Sequence, residues 1–154
     1  MTHLPRSPHA LRAAAVALLL ACAGWLIIPR EAPAAATPGR FVYGSGDATA
    51  VDTLTGLQWQ RATSASKFVL SAALTHCGDR NLAGKKDWRL PTVRELASVR
   101  DLFAKEPAID VEVFPGTKSD WYRTSSSPFG VSFSNGMVFT RDDNDPLWVR
   151  CVRG

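Results

Sequence analysis

The chain has 154 residues, is 45% hydrophobic and 21% charged, and carries a formal net charge of +4. That gives room for one ordinary domain with its own core and excludes a wholly disordered chain. Setting aside residues 1–36, which hold Arg6, Arg12, Arg30 and Glu31, lowers the charge to +2, so the basic balance does not argue for a nucleic-acid partner.

Residues 1–36 combine a basic start, an apolar run from Ala13 to Ile28, and Ala32-Pro33-Ala34-Ala35-Ala36, whose small residues suit cleavage after Ala34 or Ala36. This is the layout of a secretory signal peptide. A retained N-terminal anchor is one alternative. Lipidation of Cys22 is the other, because Leu19-Leu20-Ala21-Cys22 resembles a bacterial lipobox, although Trp25-Leu26-Ile27-Ile28 continues the apolar run past it. All three place the rest outside the cytoplasm, secreted or in the periplasm and cell envelope, with membrane contact through this segment alone.

Residues 37–48 form a lead-in, in which Arg40-Phe41-Val42-Tyr43 predicts an edge strand; the domain proper is 49–154. Ala50-Val51-Asp52 and Leu57 to Arg61 predict two strands joined by a turn, with Gly56 at a position of positive φ. Trp59 and Leu57 alternate with Gln58 and Gln60, the pattern of a half-buried strand. Ser64 to Asn81 predicts a helix capped by Ser64 or Ser66, with Phe68, Val69, Ala72, Ala73 and Cys77 on its apolar face. His76 is the only histidine after residue 36, which removes multi-histidine metal sites.

Gly84 to Leu96 reads GKKDWRLPTVREL. Pro91 pushes Trp88-Arg89-Leu90 towards extended geometry, and Thr92 with Glu95 has the spacing of a capping box. A second helix follows, with Val93, Leu96, Val99, Leu102 and Phe103 as its stripe. Lys105 to Asp120 predicts a long irregular loop, pinned by Ile109, Val111, Val113 and Phe114; loops of this length are often functional. Trp121 to Thr124 restarts a strand. Asn135-Gly136 predicts a two-residue type I′ hairpin in which Ser134 faces Met137 and Phe133 faces Val138. The last strand, Leu147 to Arg153, points Val149 and Cys151 one way and Trp148, Arg150 and Val152 the other. Cys77 and Cys151 are an even pair in an oxidising compartment, so a disulfide is the default, with a redox or metal pair as the alternative.

Val51-Asp52, Thr55-Gly56-Leu57-Gln58-Trp59, Cys77, Gly84, Asp87 to Thr92, Glu95-Leu96, Trp121 and Val149 to Arg153 together resemble the Lcl C-terminal type of domain, found at the C-terminus of the Legionella collagen-like adhesin and in bacterial envelope proteins. The resemblance implies a C-type-lectin-like α+β fold, two helices flanking short antiparallel sheets with a long loop region. It also implies pairing of Cys77 with Cys151. It implies a function only broadly: the adhesin's domain is associated with sulfated polysaccharides, and this chain lacks collagen-like repeats.

Three functions are open. In the first, a non-catalytic module binds a glycan or anionic polysaccharide through Lys85, Lys86, Lys118, Arg123 and Arg141, with Trp121 or Tyr122 stacking on a sugar. In the second, a structural module contacts an envelope protein through the long loop. The third is an enzyme similar to sulfatase-modifying oxidases, which rely on paired active-site cysteines; the chain has no G-x-S-x-G or H-E-x-x-H motif and no phosphate-binding glycine loop. No cofactor is expected apart from calcium, for which Asp142, Asn144 and Asp145 are the candidate ligands, since hard oxygens suit that ion. The expectation is an α+β binding domain without catalytic activity.

Overall fold

The computed structural model describes residues 39–43 and 47–154. The signal-peptide, anchor and Cys22 expectations lie outside the described residues. Among the described residues, two antiparallel sheets and two short helices make an α+β fold. The first sheet has the order β1 (Phe41–Val42), β2 (Thr49–Asp52), β3 (Gln58–Gln60) and β7 (Val152–Arg153); the second is β4 (Trp121–Arg123), β5 (Phe129–Ser132) and β6 (Val138–Thr140). Between β3 and β4 come helix α1 (Leu70–Gly78), helix α2 (Val93–Ser98) and the long irregular segment. No described helix is long and apolar enough to cross a membrane.

The expected β2–β3 turn forms, with Gly56 at φ +74° and Asp52 N–H donating to Leu57 O at 2.8 Å. Thr92 and Glu95 make the full capping box that starts α2. Ahead of it Arg89 bridges Val152, N–H to O at 2.8 and 2.9 Å in the two directions, so the Trp88-Arg89-Leu90 segment runs extended beside the last strand.

Two apolar cores result. The larger holds Trp59, Leu96, Ile109, Phe114, Tyr122 and Phe133, with Val152 of the last strand. The smaller holds Ala73, Cys77, Trp88, Leu90, Val149 and Cys151. The alternation expected of residues 147–153 therefore holds: Val149 and Cys151 enter one core and Val152 the other, with Trp148 packed against the latter. Cys77 and Cys151 are joined in a disulfide spanning 74 residues, which closes the redox and metal alternatives.

Four local expectations fail. Helix α1 starts at Leu70, not Ser64, and its N-cap Val69 offers no side-chain bond. Ser64 donates its hydroxyl to Ser66 O and accepts Val149 N–H, while Phe68 pairs with Leu147, so the last strand takes the backbone groups that a longer helix needs. Helix α2 stops at Ser98, leaving Leu102 and Phe103 66% and 95% exposed. There the Asp101 carboxylate accepts the N–H of Phe103 and of Ala104, a local turn that competes with helix. Gln60, expected on the solvated side of β3, is buried with its amide oxygen accepting Cys151 N–H at 3.3 Å.

The fourth is the hairpin register. Val131, not Phe133, faces Val138, and Ser132 N–H donates to Met137 O, so the loop has four residues. Of Asn135 and Gly136 only the glycine has positive φ, which rules out a type I′ turn there. The reason is tertiary: Phe133 N–H donates to Asp120 O, Phe133 O accepts Ala108 N–H, and the ring packs edge-on against Tyr122 at 4.9 Å. A type I′ geometry appears instead at Ala83-Gly84, φ +53° and +71°, closed by paired Leu82–Lys85 bonds.

Candidate functional site

Strand β4 carries the candidate residues along the edge away from β5. Trp148 runs beside it, its N–H donating to Trp121 O at 3.1 Å and its carbonyl accepting Arg123 N–H at 2.8 Å. That pairing sets Trp148 against Tyr122, so its half-buried indole lies on the Tyr122 side of the strand and the half-buried indole of Trp121 on the other. Asp120 joins the Trp121 backbone to the Trp148 side chain. Its Oδ1 accepts Trp121 N–H at 2.7 Å and its Oδ2 accepts the Trp148 indole N–H at 3.2 Å.

Cations lie on each ring, Arg141 on Trp121 and two lysines on Trp148. The Arg141 guanidinium stacks on Trp121, its Cζ 3.9 Å from the ring centroid. Lys67 and Lys118 place Nζ at 5.7 and 5.8 Å from the Trp148 centroid. Each such contact is worth about 0.5–1 kcal/mol at an exposed position; here it also fixes where the charges sit. Gly130 makes the Arg141 position possible. A Cβ there would meet Arg141 Cγ at 3.1 Å and Tyr122 O at 3.2 Å. Lys67 also pairs with Asp120 at 2.7 Å. Burial works against the charged Asp120 carboxylate, yet Lys67 and the Trp121 and Trp148 N–H groups outweigh it and hold its pKa below the usual value. Arg141 on Trp121, and Lys67 and Lys118 on Trp148 beside one carboxylate, each set positive charge against an indole, an arrangement able to hold an anionic group and offer a sugar a ring edge.

The Lcl C-terminal domain family model matches residues 48–153. The chain belongs to that family. Comparison with curated proteins and with solved structures finds no match. Membership is consistent with a non-catalytic binding module and with a secreted or envelope location.

Within this Lcl C-terminal domain, the residues expected to bind ligand divide three ways. Arg141 comes to Trp121, while Lys118 comes to Trp148 on the other side of β4. Tyr122 and Arg123 are interior, 0% and 1% exposed, and offer nothing to a ligand. They position the site instead. The Tyr122 hydroxyl bonds Thr63 Oγ1 at 2.7 Å and accepts Lys118 N–H at 2.8 Å. Arg123 Nη2 donates to the carbonyls of Asp142, at 3.0 Å, and of Asp145, which fixes the loop following Arg141. Alternation along β4 explains the split, since Trp121 and Tyr122 must point to opposite sides. Lys85 and Lys86 are exposed at the Ala83-Gly84 turn, over the Trp88 end of the smaller core; the Trp88 indole donates to Lys85 O at 3.1 Å.

The calcium candidate does not assemble. Asp142 Oδ1 is turned to Asn144 N–H at 2.8 Å, and the inward carbonyls of Asp142 and Asp145 already face a cation, the Arg123 guanidinium. Among the described residues no group of three or more His, Cys, Asp or Glu side chains could hold a metal ion. Lys67, Asp120 and Trp148 belong to the site and were not singled out from sequence. The outward alternation of Trp148 against Cys151 was the available signal; Lys67 lay in the first residues of the expected helix, which precede its observed start at Leu70.

Proposed function

We propose that this domain is a non-catalytic binding module acting outside the cytoplasm, and that its ligand is an anionic glycan held by the cations stacked on Trp121 and Trp148. The observation that carries this is the stacking of Arg141 on Trp121, with Lys118 set over Trp148. Cations on indoles present fixed positive charge to sulfates or carboxylates, while the ring edges remain for the sugar. The disulfide supports the location, because such bonds persist in oxidising compartments. It also weighs against the oxidase reading, since the two cysteines that such chemistry would need are bonded to each other and fully buried.

Retention of the full chain on a heparin column, purified with its disulfide formed, tests the reading. Elution above physiological salt is expected, with a steep salt dependence. Flow-through at low salt would overturn it. A second reading, a protein-interaction module, is favoured by the exposed Leu102 and Phe103 beside the hairpin tip, where Leu102 Cδ2 lies 2.9 Å from the Cβ position of Gly136 and exposed Met137 follows. Specific co-purification of one envelope protein, lost in Phe103→Ser, would support it.

A further inference from the structure

The β4–β5–β6 sheet has one side against the larger core and one side partly open. Tyr122, Val131 and Val138 stand in register on the core side, and the first two are fully buried. Arg123, Gly130 and Phe139 stand in register on the other, because residues directly opposite in an antiparallel pair share a face. Trp121, two residues from Arg123, points to that same side. Arg123 is buried there, its Nη2 donating to the Asp142 and Asp145 carbonyls. Phe139 is not covered and is 59% exposed. Gly130 leaves a gap between them, and Arg141 fills it. Its Cγ lies 3.1 Å from where a Gly130 Cβ would stand, and its guanidinium reaches on to stack over Trp121 at 3.9 Å. Among the described residues Arg141 has no ion-pair partner. An exposed ring and an unpaired cation thus lie side by side on one face.

Resting on the anionic-glycan reading above, we infer that this side of the sheet is a subsite for one acidic sugar unit, a uronate or a sulfated hexose, whose ring lies on Phe139 and whose acid group pairs with Arg141. The benzene ring takes the C–H face of the sugar. The guanidinium takes two oxygens of a carboxylate or sulfate in parallel hydrogen bonds. Phe139 and Arg141 are two residues apart, about 6.5 Å along the strand, so both contacts fall within a single sugar unit. Stacking on Trp121 and the filled Gly130 gap hold the guanidinium in place before the ligand arrives, which lowers the ordering cost of binding. Charge decides the occupant. A second copy of the chain laid on this side would bring another Arg141 to the contact, and like charges there are costly. The ring contact also separates a charged sugar from a bare anion, which gains Arg141 alone.

The test titrates the full chain with a heparin oligosaccharide, and with inorganic sulfate, at several salt concentrations. Phe139→Ala is expected to weaken the oligosaccharide about three- to ten-fold. Its salt dependence and the response to sulfate should stay unchanged, because an apolar contact is not screened. Arg141→Ala should weaken binding and lower the salt dependence as well. Phe139→Tyr keeps the ring and should bind as wild type. Phe139→Leu keeps apolar cover on the strand without the ring, and decides the question should Phe139→Ala not fold. Leu54→Ala removes an exposed apolar side chain from the β2–β3 turn and controls for apolar adhesion. If the wild-type chain binds but Phe139→Ala and Phe139→Leu bind equally well, the subsite is overturned and the anionic-glycan reading stands. Self-association in sedimentation that is lost in Phe139→Ala, with oligosaccharide affinity intact, overturns it in favour of a second copy. If wild type does not bind the oligosaccharide, both readings fall.

Discussion

Glu95 shows how much one side chain can hold. It closes the capping box with Thr92 N–H at 2.8 Å and pairs bidentately with Arg89 at 2.9 and 2.7 Å. Arg89, opposed by burial and aided by Thr92, brings its pKa from 4.5 down to about 2. A depressed carboxylate contributes stability above its unfolded pKa and loses that contribution as pH falls through the folded one. Unfolding stability should therefore decline between about pH 4.5 and about pH 2. Glu95→Gln should cost roughly 1–2 kcal/mol at neutral pH and flatten that acid limb in denaturant melts followed against pH. An unchanged limb would remove Glu95 from the explanation. Arg150 is a different case, a fully buried guanidinium stacked on Phe114 at 4.6 Å and bonded only to neutral oxygens, Gln60 O at 2.8 Å and Thr117 Oγ1 at 2.7 Å among them. Burial pulls its pKa down to about 10, still charged at neutral pH. Arg150→Ala should destabilise by more than about 3 kcal/mol, because several buried acceptors lose their donor together; thermal melting measures it.

Between secondary elements, the turn that closes over Trp88 is strained at one residue. Ala83 sits at φ +53°, the left-handed region in which a Cβ is unfavourable. Asn tolerates that region better, so Ala83→Asn should stabilise the chain by about 0.5–1 kcal/mol, read as a raised denaturation midpoint. No gain would mean that the turn relaxes without penalty. This turn also marks what sequence could and could not reveal about the elements. Short-range signals were readable: the Thr92–Glu95 box, the Pro91 break and Gly56 each act within a few residues and appear as expected. The elements misjudged are those decided by partners distant in the chain. Phe68 prefers Leu147 to its own helix, and Phe133 prefers Asp120 and Ala108 to hairpin pairing.

For the molecule as a whole, the Cys77–Cys151 bond ties α1 to the terminal segment across 74 residues. In the chain-entropy picture closing a loop of that length contributes roughly 4.5 kcal/mol. The double variant Cys77→Ser/Cys151→Ser should lose most of that in denaturant unfolding; a loss below about 1 kcal/mol would mean that the two cores suffice without it. The candidate site was half readable in advance. Lys118, Trp121 and Arg141 could be picked out as exposed chemistry, but Tyr122 and Arg123 look the same in sequence and lie inside. Lys67 and Trp148 join only because the last strand folds back along β4, a pairing that no local pattern encodes.

The central claim is that ligand binding belongs to the cations stacked on Trp121 and Trp148 and not to positive charge in general. Heparin affinity of two charge-matched double variants tests it most directly. Lys118→Ala/Arg141→Ala and Lys85→Ala/Lys86→Ala each remove two positive charges, the first pair from the two indoles and the second from the Ala83-Gly84 turn. The first should lose retention at physiological salt while the second stays close to wild type. Equal losses in the two variants would mean that the polymer responds to net charge alone, and the assignment of a site to Trp121 and Trp148 would be wrong.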